Sequence, residues 1–155
     1  MQPIRVLFVC DGNVCRSPLA AALLRNHADP GTVASIASAG LIAEPDDRPN
    51  RWTLDVARAR GVELDGHRPR RFVAADLDDA DLVLVMEERQ RLAVGAQVPA
   101  SRRPPDTRLL TSFGGGRAHD IADPGEAHPH VYVGYQRCVA TIEAAVCRLA
   151  RWLRA

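Results

Sequence analysis

Short, wholly apolar runs alternate along this chain with longer stretches in which apolar residues recur every three or four positions. Ile4 to Val9 is an apolar, β-branched run suited to a buried strand, and Pro18 followed by Leu19 to Leu24 reads as a helix extending to about Ala28. Asp29-Pro30-Gly31 is a turn. Val33 to Ala37 predicts a second strand that ends in Ser38-Ala39-Gly40, and the proline- and acid-rich stretch Leu41 to Arg51 predicts a loop. Trp52 to Arg60 reads as a helix stopped by Gly61, and Phe72 to Asp79 as a weak helical segment. Asp81 to Met86 is the clearest central strand, with a helix from Glu87 to Val94 behind it. A Pro/Arg-rich loop, Pro99 to Pro105, precedes a fourth strand at Thr107 to Leu110. The polar stretch from Gly114 to His130 is too long for a tight connection, which marks it as a candidate functional loop. Last comes a helix carrying one apolar stripe: Tyr135, Cys138, Val139, Ile142, Val146, Leu149 and Leu153.

Strands alternating with helices predict an α/β fold with a parallel sheet covered on both faces. Such sheets hold ligands outside the carboxyl ends of their strands. At 155 residues, with neither internal repeat nor linker, the chain is expected to form a single domain over residues 1–155. Lys+Arg 20 against Asp+Glu 19 leaves almost no net charge, so bulk electrostatics give no sign of a nucleic-acid partner. No apolar run approaches the ~20 residues of a membrane span. The first strand begins within a few residues of Met1, so no signal peptide is expected. Together with four cysteines, this predicts a cytoplasmic protein with reduced thiols.

Chemistry concentrates in Cys10-Asp11-Gly12-Asn13-Val14-Cys15-Arg16-Ser17-Pro18. A strand that feeds a short loop and then a helix aims backbone N–H groups and the helix dipole at one point, a natural anion site. Cys10 stands where the strand stops. Amide groups and a guanidinium around its thiol are expected to lower its pKa. Arg16, at the helix start, offers a planar fork for two oxygens of a tetrahedral oxyanion. A nucleophile on the floor of an oxyanion bowl is equipped to attack phosphorus. Cys15, on the same loop, is expected to guard the nucleophile by trapping its oxidised form as a disulfide, or else to be a buried packing thiol.

In this form, directly after an N-terminal strand, the motif resembles that of the low-molecular-weight protein tyrosine phosphatases. The similarity extends to Ser38-Ala39-Gly40, His67-Arg68, the strand end at Met86 and Asp123-Pro124. The resemblance implies a four-stranded parallel sheet with helices on both sides and a phosphatase that needs no cofactor or metal. It implies Cys10 as nucleophile, Arg16 as phosphate clamp and Asp123 as general acid. Asp120 and Glu126 are the nearest rivals to Asp123 in the chain. The phosphate-binding loop would comprise Asp11, Gly12, Asn13, Val14, Cys15, Arg16 and Ser17. Asn13, Ser17, Ser38 and His67 would form a hydrogen-bond network that shapes this loop. The expected partner is a phosphorylated protein, a phosphotyrosine protein above all, or a small aryl phosphate.

Two features depart from the family pattern. Gly125-Glu126 follow Asp123-Pro124 where aromatics are usual, and the loop after Ser38 reads Leu41-Ile42-Ala43-Glu44-Pro45. Tyr132 and Tyr135 are the aromatic residues that could restore a wall for a phenyl ring. His119, His128 and His130 lack a cysteine or carboxylate frame and read as a solvated loop rather than a metal site. Two other functions compete with the phosphatase reading: a non-catalytic anion- or partner-binding module, and a thiol-dependent arsenate reductase. The second would need cysteines able to relay a disulfide.

Overall fold

The two β-branched apolar runs, near Val6 and near Val83, become the centre of the sheet. In a computed structural model that describes residues 2–125 and 130–155, four parallel strands lie in the order β2-β1-β3-β4: β1 (Ile4–Cys10), β2 (Val33–Gly40), β3 (Leu82–Val85) and β4 (Asp106–Leu109). β1 and β3 occupy the middle, and Val6 to Cys10 and all of β3 are buried, as strands covered on both faces must be. The edge strands β2 and β4 are only partly buried, which explains their weaker apolar patterns.

Alternate residues of β1 serve two cores. Val6, Phe8 and Cys10 pack with α1 (Arg16–His27), α2 (Arg51–Arg58) and α4 (Val131–Arg154). Leu7 and Val9 face the opposite way, toward Val94 of α3 (Glu88–Ala96) and Leu77 of a 3-10 turn at Ala74–Asp79. Every residue of the α4 stripe expected from the sequence is buried, and α4 lies along α1. Asn50 caps α2, its side-chain oxygen accepting the Thr53 N–H at 3.0 Å, and Gly61 follows that helix with φ +75°. A 3-10 turn at Leu110–Phe113 follows β4 and takes in Leu110, which the apolar pattern assigns to the strand.

This topology fixes the functional end. β1 is joined through α1 to β2 on one side, and β3 lies on its other side, so a crevice opens past the carboxyl end of β1. The register places Cys10 beside Gly40 and Val9 beside Val85. The segments after β1, β2 and β3 therefore meet around residues 10–17. No helix among the described residues is long and apolar enough to cross a membrane.

Candidate active site

The turn after β1 depends on Asn13, whose φ of 54° makes it the one non-glycine left-handed residue among those described. Such a conformation costs about 1–2 kcal/mol and persists only when its surroundings demand it. Here they do. Its Nδ2 donates to Ser17 Oγ and to Ser38 Oγ, both at 2.9 Å, and its Oδ1 accepts the Arg70 N–H at 3.0 Å. Its carbonyl meets His67 Nε2 at 2.6 Å. The strained backbone aims the Asn13 N–H at Cys10 Sγ, 3.3 Å away. The four residues expected to form a network are thus brought together around one turn.

Gly40 completes the cradle from β2. A Cβ at that position would lie 2.5 Å from the Asp11 carbonyl oxygen and 2.8 Å from the Asn13 nitrogen, both backbone atoms that cannot step aside. The loop after β2 is tied to the same turn, because the Leu41 and Ile42 N–H groups donate to the Cys10 and Asp11 carbonyls.

Cys10 is buried, and Ser17 Oγ lies 3.0 Å from its sulfur. The sequence reading expected a lowered thiol pKa, and here the structure differs. Burial pushes the thiol up; Ser17, Arg16 and the Asn13 amide pull it down without cancelling that push, so it stands above its ordinary value. The reason is burial: Cys10 is 2% exposed, and taking a thiolate out of water there outweighs all of its partners. Arg16 Nη1 donates to Glu87 Oε2 at 2.6 Å and to the Ile121 carbonyl at 2.7 Å. Burial and the Glu87 bond act oppositely on Arg16 itself, with the guanidinium held above its usual value and charged throughout.

Nη2 of Arg16 lies 3.8 Å from Asp11 Oδ2 and 3.8 Å from Asp123 Oδ2, two carboxylates that line the crevice. Asp123 is half exposed, and its Oδ1 accepts the Gly125 N–H at 2.9 Å, which braces the carboxylate at the rim. Its rival Asp120 is turned to the Glu88 N–H at the start of α3. Glu126 and His128 lie outside the described residues.

Sequence reasoning missed a second layer. Gln90 is fully buried, its Oε1 accepting the Met86 and Glu87 N–H groups and its Nε2 donating to Asp11 Oδ1 at 3.1 Å and Glu87 Oε2 at 3.2 Å. Arg89 forks onto Asp11 and reaches Glu87 at 2.9 Å. Burial pushes the Asp11 carboxyl up, but the bonds from Arg89 and Gln90 outweigh it and hold the group below the ordinary carboxylate range. The signal for this layer was its place just after the central strand. Nothing in the composition of Glu87-Glu88-Arg89-Gln90 singled it out.

The crevice over the loop is a cleft of about 350 Å³ lined by Asp11, Gly12, Ile42, Glu87, Arg89, Ala122 and Asp123, with no aromatic ring. Neither tyrosine supplies one. Tyr132 packs on Trp52 with ring centroids 5.6 Å apart, and Tyr135 is buried with its hydroxyl accepting from Asn50 Nδ2 at 2.7 Å. Glu44 pairs with Arg71 rather than facing the cleft. Cys15 is buried at the head of α1, in the core that also holds Cys138.

An α/β sheet with a buried cysteine, a committed arginine and a rim carboxylate gathered beyond its first strand defines a cysteine-based phosphatase. The chain belongs to the low molecular weight phosphotyrosine protein phosphatase family, whose model matches residues 5–155. A protein-arginine-phosphatase of Geobacillus stearothermophilus is 34% identical over 153 residues, covering 99% of this chain and 98% of that protein. The low molecular weight protein-tyrosine-phosphatase Etp of Escherichia coli K12 is 38% identical over 97 residues, 63% of this chain and 64% of that one. Among solved structures, the tyrosine phosphatase Wzb from Escherichia coli K30 in complex with sulphate superposes with a TM-score of 0.83 at 29% identity, covering 98% of this chain and 99% of that chain.

Proposed function

We propose that this phosphatase removes phosphoryl groups from phosphorylated proteins, phosphotyrosine first among them, with Cys10 as nucleophile, Arg16 as clamp and Asp123 as general acid. The observation that carries the reading is one guanidinium shared between two jobs: Arg16 lies behind the loop that holds Cys10, and its Nη2 points at the Asp123 carboxylate. Loop N–H groups and Nη2 would hold the equatorial oxygens while Cys10 attacks in line. Asp123 would give its proton to the departing oxygen, then take one from the water that attacks phosphocysteine. The raised thiol pKa is compatible with this chemistry. A thiol meeting a dianionic ester holds the same number of protons as a thiolate meeting the monoanion, so the ester can receive the thiol proton on binding. All four cysteines are free thiols, which suits a reducing cytoplasm.

A second reading, a protein-arginine phosphatase, is favoured by the walls of the cleft. The cleft offers no ring: Asp11 and Glu87 are paired with Arg89 and Arg16, and the rim carboxylate of Asp123 suits a guanidino leaving group better than a phenyl one. The arginine phosphatase relative also matches nearly the whole chain. Initial rates on matched phosphotyrosine, phosphoarginine and phosphoserine peptides separate the readings. The first expects the highest kcat/KM on phosphotyrosine, and the second on phosphoarginine. Turnover of neither would overturn both.

A further inference from the structure

Arg16 shares its carboxylates with a second arginine. Arg16 Nη1 and Arg89 Nη2 donate to the same oxygen of Glu87, at 2.6 and 2.9 Å. Arg89 also forks onto Asp11, its Nη1 donating to Oδ1 at 3.0 Å and its Nη2 to Oδ2. The buried Gln90 adds a bond to Asp11 Oδ1 at 3.1 Å. Asp11 Oδ2 in turn stands 3.8 Å from Arg16 Nη2. Arg16, Glu87, Arg89 and Asp11 therefore close a ring of alternating charge, in which this last contact alone is too long for a hydrogen bond. The long contact is the one at the site. Asp11 is part of the phosphate loop, and Nη2 is the clamp atom that phosphoryl oxygens would meet. A carboxylate and a phosphate want the same guanidinium donor, and a movement of about 1 Å would bring Asp11 into charge-assisted hydrogen-bond range of it. Arg89 holds Asp11 from the opposite side. Its side chain is 59% exposed on the first turn of α3, so it contributes these bonds rather than packing.

We propose that Arg89 is a positioning residue for the clamp: by occupying both oxygens of Asp11 it keeps that carboxylate off Arg16 Nη2 and leaves the donor open to an incoming tetrahedral oxyanion. This role rests on Arg16 being the clamp. Without Arg89, Asp11 closes onto Nη2, and an anion must displace a carboxylate tethered to the same loop. If that closed pair forms in about nine molecules of ten, the apparent affinity for the anion falls about tenfold. The competitor is gone once the anion is bound, so ground state and transition state lose equally, and the loss falls on KM more than on kcat.

The test is a double-mutant cycle read by calorimetric titration with tungstate, a tetrahedral dianion whose binding needs no turnover. Arg16→Ala is the control, and its affinity should fall well below that of wild type; equal affinity would remove the clamp and this proposal with it. Arg89→Ala should bind tungstate about tenfold more weakly, with KM for an aryl phosphate rising to match and kcat falling far less. Arg89→Met, which keeps the apolar stem, should behave as Arg89→Ala does, so that a packing defect in one variant does not decide the matter. Asp11→Asn alone should bind tungstate more tightly than wild type, because a negative charge beside the anion is gone. Adding Asp11→Asn to Arg89→Ala should restore affinity to within about threefold of Asp11→Asn alone, since an uncharged side chain no longer competes for Nη2. An arginine that merely attracted anions by its charge would cost the same factor whether or not Asp11 is replaced. Equal factors would overturn the proposal, as would a double variant no better than Arg89→Ala, or Arg89→Ala and Arg89→Met binding tungstate as tightly as wild type.

Discussion

Replacing Asn13 with alanine tests whether a strained turn, held by its own side chain, builds the site. Alanine removes three side-chain hydrogen bonds, to Ser17, Ser38 and Arg70, each worth about 1 kcal/mol in net stability. It also leaves a residue with a Cβ in the left-handed region at φ 54° without local compensation, about 1 kcal/mol more. The expected loss is about 4 kcal/mol. With a urea dependence of about 2 kcal/mol per molar, the unfolding midpoint should fall by about 2 M. Asn13→Gly loses the same bonds but accepts the backbone, so it should be about 0.5–1 kcal/mol more stable than the alanine variant. Because the turn aims the Asn13 N–H at Cys10 Sγ, kcat/KM should fall by roughly a hundredfold in Asn13→Ala and by less in Asn13→Gly. Urea titration and steady-state rates on one aryl phosphate decide the matter. An alanine variant within 1 kcal/mol of wild type, or glycine no better than alanine in either assay, would refute the idea that side-chain bonds hold the strained turn.

Other substitutions probe separate parts of the account. Gly40→Ala should push the phosphate loop off its backbone contacts and lower kcat/KM at least a hundredfold, since the new methyl meets only main-chain atoms. In Ser17→Ala the hydroxyl that pulls the Cys10 pKa down is gone, so the pKa rises further and alkylation by iodoacetamide at pH 7 should slow by roughly 3- to 10-fold. Asp123→Ala should lower kcat by roughly 10²–10⁴ on esters with poor leaving groups and far less on nitrophenyl phosphate; an equal loss on both would make Asp123 a structural residue.

Much of this was legible along the chain, and the reasons differ by feature. β1 and β3 were visible because burial on both faces leaves an unbroken apolar run, the α4 stripe because burial on one face leaves a periodic mark, and the Cys10 loop because its chemistry lies in consecutive residues. The expected meeting of Ser38 and His67 with Asn13 came through family likeness, as no local pattern carries a contact spanning 25 or 54 positions. Gln90 escaped notice because its importance lies in complete burial with every polar atom satisfied, which composition does not reveal. The thiol pKa goes the other way because the loop amides and Arg16 are legible in the motif, while the near-complete burial of Cys10 is not. Cys15 could be placed on the loop from its number, but the side it faces follows from the packing of α1 on α4.

The central claim is that phosphoryl transfer passes through Cys10. The most direct measurement mixes enzyme with an excess of an aryl phosphate, quenches within one turnover, and maps any added phosphoryl group by mass spectrometry under conditions that preserve a phosphorus–sulfur bond. The account requires one phosphoryl group per chain, on the peptide that carries Cys10, formed as fast as the phenol is released. Cys10→Ser should retain less than a thousandth of the wild-type turnover while remaining folded. Phosphate found on another residue, or a Cys10→Ser protein within tenfold of wild-type turnover, would contradict it.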